Sequence, residues 1–175
     1  FRIGLVKSSF IPDLDIRILR EFTRYRYKLV SMKSGEKNRF QNAFTVCNVA
    51  LDSVVSDMFG KSATAITDYL TSDESFDPEH CVSLLQRSLK KKATQVLESI
   101  EGFSIAVEQK ARIKMIREHY DFIEKMIAKV DTRVNEMVAK DEGEINLLCT
   151  IPGIGRNSAI TIISEIGTDM RQFGS

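Results

Sequence analysis

Residues 104–140 read SIAVEQKARIKMIREHYDFIEKMIAKVDTRVNEMVAK, and their spacing decides the fold class. Ile113, Ile116, Tyr120, Ile123, Ile127, Val130, Val134 and Met137 alternate steps of three and four without a break, eight consecutive a and d positions of a heptad. A 3.5-residue repeat keeps one apolar stripe turned toward a partner helix, so the spacing predicts one long helix with a coiled-coil seam. The flanks do not name the partner. Arg112 and Arg117 would meet and repel in a parallel dimer, whereas His119 and Glu124 would attract. Two arrangements satisfy the stripe: an oligomerisation seam made by those eight residues, and a hairpin against the first helix of the same chain.

That first helix is announced by Pro12-Asp13 and runs to about Asn48, with Gly35 its only strong breaker. Ile18, Phe22, Tyr25, Leu29 and Met32 recur at helical spacing and are the predicted buried stripe. Arg17, Arg20, Arg24 and Lys28 lie on the opposite face with Tyr27 among them, and Arg26, Lys33 and Lys37 share a flank. From Arg17 to Arg39 there are eight Lys or Arg and two acids, Glu21 and Glu36. A charge run is ordinarily a solvated face. Here the deficit of acids and the interleaved Tyr25 and Tyr27, which can stack on bases, mark Arg17, Arg20, Arg24, Arg26, Lys28, Lys33, Lys37 and Arg39 as candidate phosphate contacts. Binding by such a face releases counterions and weakens steeply with salt.

Shorter elements connect the two. Ser53 can cap a turn through Met58, and Gly60 interrupts before a helix over Ser62–Leu70. A polar loop follows, TSDES over 71–75. Asp77-Pro78-Glu79 supplies an N-cap, a proline at N1 and an acid in the first turn of a helix predicted to reach about Lys91. A further short helix ends at Gly102.

After Asp141-Glu142-Gly143 the chain reads EINLLCTIPGIGRNSAITIISEIG, two short amphipathic helices around Ile151-Pro152-Gly153-Ile154-Gly155. This is the pattern of a helix-hairpin-helix. Pro152 ends the first helix, and Gly153 and Gly155 are expected to let the backbone turn tightly. The second helix then begins with unsatisfied N–H groups at the positive end of its dipole, which can hold a phosphate oxygen without reading sequence. Gly153, Gly155, Arg156, Asn157 and Ser158 are therefore the second candidate nucleic-acid surface. A compact turn that only packs the domain would use the same residues, and Arg156 is the one cation in it.

Composition narrows the classes. The 175 residues carry 25 Lys+Arg against 24 Asp+Glu, a formal charge of +1, which excludes a uniformly basic coat protein and an acidic tail. No apolar stretch approaches the roughly 18–20 residues that cross a bilayer. Cys47, Cys81 and Cys149 are far apart and odd in number, so neither a disulfide framework nor a zinc site is expected, and a reducing compartment is. Gly60-Lys61-Ser62 resembles the end of a phosphate-binding loop, but the position five before Gly60 is Val55 where that motif needs glycine. His80-Cys81 has no second pair of ligands, and Asp141 and Glu142 read as solvated acids of a polar turn. No catalytic or metal-ligating constellation is found. The opening at Phe1, without an initiator methionine, leads to the expectation that the chain is a piece of a larger protein.

The order of these elements resembles one family. SFIP leading into ILREFTRYRYKLV and EKNRFQN, then LDSVVSDMFGKSA, then LLCTIPGIGRNSAITIISEIGTDMRQF are similar to the insertion-sequence transposases of the DEDD class, relatives of the pilin-gene invertase described as RNA-guided recombinases. The resemblance spans nearly the whole chain. It implies an N-terminal RNase-H-like domain with four acids that bind a divalent metal, expected to be magnesium; a helical coiled-coil middle; and a C-terminal transposase domain with a nucleophilic serine. None of the four acids matches a position here, and the serine is expected beyond Asp169–Phe173, so Ser175 is not equated with it. Residues 1–12 are then a linker arm, 13–140 the coiled-coil region and 141–175 the helix-hairpin-helix that starts the transposase domain. The expectation is an all-α protein that binds DNA and a structured guide RNA and forms a homo-oligomer, in the bacterial or archaeal cytoplasm, without cofactor or catalytic residue of its own. A non-enzymatic helix-hairpin-helix scaffold on duplex DNA and a pure coiled-coil interaction module are the alternatives.

Overall fold

The computed structural model describes residues 11–172. The expected linker arm therefore lies outside the described residues except for Ile11 and Pro12, as do Phe173 and Ser175. The described residues form an all-α protein with no strand: α1 (Leu14–Thr45), α2 (Lys61–Leu70), α3 (Pro78–Ser83), α4 (Ala93–Ser99), α5 (Val107–Met137), α6 (Glu142–Cys149) and α7 (Arg156–Ile166), joined by turns and short 3-10 segments. The chain divides into two compact units, residues 32–124 and the combination of 1–31 with 125–175, so α1 and α5 each contribute to both. The boundary expected at 140–141 falls inside the second of these. There the hairpin shares a unit with the start of α1 and the end of α5.

In the unit of residues 32–124, the core gathers Phe40, Phe44, Leu51, Ile66, Leu85, Val96, Ile100 and Ile113 from every helix of the unit except α3, whose Cys81 joins them. Phe40 meets Phe44 edge-on at 5.1 Å, and Phe59 stacks on Tyr120 at 3.8 Å. The two long helical segments run antiparallel here, since Lys33 bonds Glu124, Glu36 bonds His119 and Phe40 underlies Arg117. In the other unit Arg26 pairs with Asp131 and Asp15 with Lys140, again an antiparallel match, over a core that includes Leu19, Leu29, Val130, Val134, Val138, Ile145, Ile160 and Ile163.

The heptad stripe of α5 is consumed by this packing. Ile113, Ile116, Tyr120, Ile123, Ile127, Val130 and Val134 are all buried within the single chain and Met137 is half-buried, so the intermolecular seam is corrected to an internal one. The hairpin arrangement is the one the burial supports, because residues that have already left water have no apolar area to offer a second copy.

Three local expectations change. The buried face of α1 is Leu19, Thr23, Leu29, Glu36, Phe40, Ala43 and Phe44, while Ile18, Tyr25 and Met32 are exposed. Two polar side chains of this face are satisfied inside: Thr23 Oγ1 shares a hydrogen bond with Ser164 Oγ at 3.0 Å, and Glu36 accepts from Arg39 and faces His119 Nδ1 at 3.0 Å. Gly35 does not interrupt α1, whose packing outweighs a glycine penalty of about 1 kcal/mol. The helix begun by Asp77 stops at Ser83 rather than near Lys91. Leu85 turns into the core, and the Gln86 N–H, now extended, donates to Ser62 Oγ at 2.9 Å. Its start is as expected: Asp77 accepts from the N–H groups of Glu79 and His80, with Pro78 at N1.

Candidate nucleic-acid interface

α6 and α7 form the expected helix-hairpin-helix. α6 ends at Cys149, before Pro152, and its C-terminal carbonyls are closed by Thr150 N–H to Leu147 O and Ile151 N–H to Leu148 O, both 3.1 Å. Gly153 then takes φ +89°, a left-handed conformation that an L side chain disfavours, and this position makes the turn. Gly155 does not. Its φ is −86°, a Cβ there would meet nothing within 4 Å, and it stands as the N-cap of α7 without any side-chain cap. The glycine at 155 is thus not demanded by the fold. Its effect is to leave the first amides of α7 bare.

Those amides belong to Arg156, Asn157 and Ser158, all exposed. The first N–H groups of a helix have no intrahelical acceptor, and the helix dipole makes this end attractive to anions. Arg156 is turned away from that duty. Its guanidinium forks onto both oxygens of Glu142 at 2.5 and 2.9 Å and reaches Asn135 Oδ1 at 3.3 Å, tying α7 to α6 and α5. The pairing holds the Glu142 carboxyl below its usual range and pushes the Arg156 guanidinium up. Asp141, expected to be solvated with its neighbour, is half-buried, and desolvation raises its pKa. Leu147 and Ile151 remain exposed on the hairpin, at 70% and 48%.

The basic run of α1 is largely neutralised by acids distant in sequence. Arg20 donates from Nε to Ser164 O at 3.0 Å and from Nη2 to Glu165 O at 2.8 Å, closing carbonyls in the last turn of α7. Arg24 forks onto the Glu165 carboxylate at 2.9 and 3.0 Å, which lowers the pKa of Glu165. Arg26 bonds Asp131 at 2.5 Å. Lys33 bonds Glu124 at 2.9 Å, Lys37 bonds Asp57 at 3.1 Å, and Arg39 holds Glu36. Six of the eight candidate cations thus stand in intrachain ion pairs. Of the eight candidates, Arg17 and Lys28 are exposed and have no ion pair among the described residues. Tyr25 and Tyr27 are exposed as well, Tyr27 at 76%.

The acids that capture these cations, Glu165, Asp131, Glu124 and Asp57, were not singled out in the sequence for that role, nor was Asn135. Only the antiparallel pairing of α1 with α5, had it been assumed, would have matched Arg26 with Asp131 and Lys33 with Glu124. Gly60-Lys61-Ser62 opens α2, with Ser62 Oγ accepting from Gln86. Cys81 is buried, which raises its thiol pKa, and His80 lies edge-on to Tyr69 at 4.7 Å. Among the described residues no group of three or more His, Cys, Asp or Glu is arranged to hold a metal ion.

An all-α chain with a terminal helix-hairpin-helix is the class that fold and site define. No protein-family model, curated protein or solved structure matches it. Among the described residues no helix is long and apolar enough to cross a membrane.

Proposed function

We propose that this chain is a nucleic-acid-binding, helical portion of an insertion-sequence transposase of the DEDD, RNA-guided recombinase kind, working in the bacterial or archaeal cytoplasm. The observation that carries the reading is the bare N-terminus of α7: an eleven-residue helix whose N-cap is Gly155, with no side chain covering its amides and with exposed Asn157 and Ser158 beside them. One phosphate oxygen of DNA or of a structured RNA fits that end. Arg17, Lys28 and Tyr27 are a second contact, of cations without carboxylate partners among the described residues and an aromatic face. The order of motifs supplies the transposase assignment. In that reading strand cleavage belongs to the intact protein, through a metal held by four acids and a serine nucleophile, to none of which the resemblance assigns a position in this chain. Assembly into a homo-oligomer would then use exposed surface such as Met115 and Phe122, seven residues apart on α5, rather than the buried seam.

Gly155→Asp tests the site. An aspartate there has room for its Cβ and a backbone suited to an N-cap, so it supports α7 while placing a carboxylate on the amides. In gel-shift titrations at low and moderate salt, the unaltered chain is expected to retain duplex DNA and a hairpin RNA, more weakly as salt rises. The variant is expected to bind about tenfold or more weakly with unchanged helicity. Retention of neither nucleic acid by the unaltered chain, or equal retention by the variant, overturns the reading.

A further inference from the structure

Within the unit of residues 32–124 an apolar groove of about 500 Å³ lies between the start of α3 and α4. Its size is that of sites that accept one or two bulky side chains or a small ligand. Thr94 and Leu97 of α4 line it together with Ile100 and Phe103 just after that helix, and Phe76 and Pro78 line it from the segment that opens α3. Phe76 meets Phe103 edge-on at 5.2 Å. The Phe76 segment is pinned. Tyr69 OH donates to Ser75 O at 3.0 Å and accepts from the Asp77 N–H at 2.6 Å, and Lys110 Nζ donates to Ser72 O. A groove fixed in advance does not spend binding energy on ordering itself.

The rim is acidic and unanswered. Glu98 and Glu101 line the groove, and Glu74 and Glu79 flank the Phe76–Pro78 segment in sequence. None of these four has an ion pair among the described residues, in a chain whose α1 cations are mostly paired. Such a rim repels polyanions, so the groove is not an extension of a nucleic-acid surface. An apolar lining within a negative border complements the opposite pattern: bulky apolar side chains flanked by lysine or arginine.

We propose that this groove docks a short cationic segment of a partner protein, its one or two leucine-sized side chains on Leu97, Ile100 and Phe103 and its flanking cations against Glu98 and Glu101. The interaction stands independently of the nucleic-acid reading, because it uses different residues and the opposite charge. The test is fluorescence anisotropy on the full chain with a labelled peptide of two central leucines between lysine triplets. Two control peptides carry alanine centres or glutamate flanks. Expected are saturable binding of the first peptide, affinity about tenfold or more lower for each control and for Glu98→Lys/Glu101→Lys, and methyl shifts at Leu97 and Ile100 on titration. The substituted glutamates are exposed, and the control peptides probe the unaltered chain, so the outcome does not depend on a variant's folding. Absence of binding, equal affinity for the alanine-centred peptide, or equal affinity after charge reversal overturns the proposal. So does self-association of the chain that the charge reversal dissolves, since the occupant would then be a second copy.

Discussion

Replacing Ile123 by alanine separates an internal seam from an intermolecular one. Ile123 is 1% exposed in the single chain. Truncating a fully enclosed isoleucine removes its transfer energy and leaves a cavity, together about 2–5 kcal/mol, with an enclosed helix–helix position toward the upper half. For a chain of this length each kcal/mol moves the melting midpoint by about 2–4 °C, so a fall of about 10 °C is expected. Phe122, the adjacent residue on the same helix, is 59% exposed, and Phe122→Ala should stay within about 0.5 kcal/mol. The assay is thermal and urea unfolding followed by circular dichroism, at a concentration where sedimentation velocity reports a monomer. There an internal seam still costs the full amount. A seam between chains would not: its contribution would appear only as the oligomer forms, growing by about 1.4 kcal/mol per tenfold in concentration. A loss for Ile123→Ala under about 1 kcal/mol in the monomer, or one no larger than that of Phe122→Ala, refutes the internal packing.

Other consequences are equally local. Gly153→Ala should destabilise by about 1–3 kcal/mol because φ +89° is strained for any side chain, whereas Gly155→Ala should be nearly neutral to urea unfolding. Arg20→Ala should cost about 1.5–3 kcal/mol and increase amide exchange in the last turn of α7, whose carbonyls at Ser164 and Glu165 lose their charged donor. Burial, with the hydrogen bond to Glu124 next, pushes the Tyr120 phenol up to about 12, above an ordinary value of 10. A group whose pKa is raised in the folded state adds stability that is complete below the unfolded value and lost above the folded one. Stability should therefore fall between about pH 10 and pH 12, by at most about 3 kcal/mol at 1.36 kcal/mol per unit. Urea midpoints across that range check it, and Tyr120→Phe should flatten the slope.

Helix identity, the Asp77 cap, the α5 stripe and the hairpin were legible because each is written in neighbours a few residues apart. What was not legible depends on partners far along the chain. Arg24 looked like a free cation since Glu165, which neutralises it, stands 141 positions away. Nothing in the local sequence marks Thr23 and Glu36 as buried, because Ser164 and His119, which meet them inside, arrive only with the tertiary fold. The shift of the α1 buried face follows from the same cause: apolar spacing alone selects Ile18, Tyr25 and Met32, while the packed face includes polar side chains with internal partners. Gly155 shows the reverse error. Glycine suggested a turn, and the backbone there is ordinary.

This redistribution of charge bears on how a polyanion would be held. A cation already bonded to a carboxylate must give up that bond to reach a phosphate, and it brings its acid's repulsion along. Eight phosphate contacts from α1 would give a slope of log K against log salt near −7, at about −0.9 per contact on duplex DNA. If Arg17 and Lys28 alone are available, the slope falls to about −2, and the amides of α7 add affinity with little salt dependence, since a dipole releases no counterion. The two cases are far apart on a single plot. A measured slope near −7 would mean that binding pulls apart the ion pairs of Arg24, Arg26, Lys33 and Lys37, and with them contacts inside both units. A slope near −2 that survives Arg24→Ala, together with an affinity about tenfold or more lower in Gly155→Asp, would locate the grip at the end of a helix rather than along its charged side.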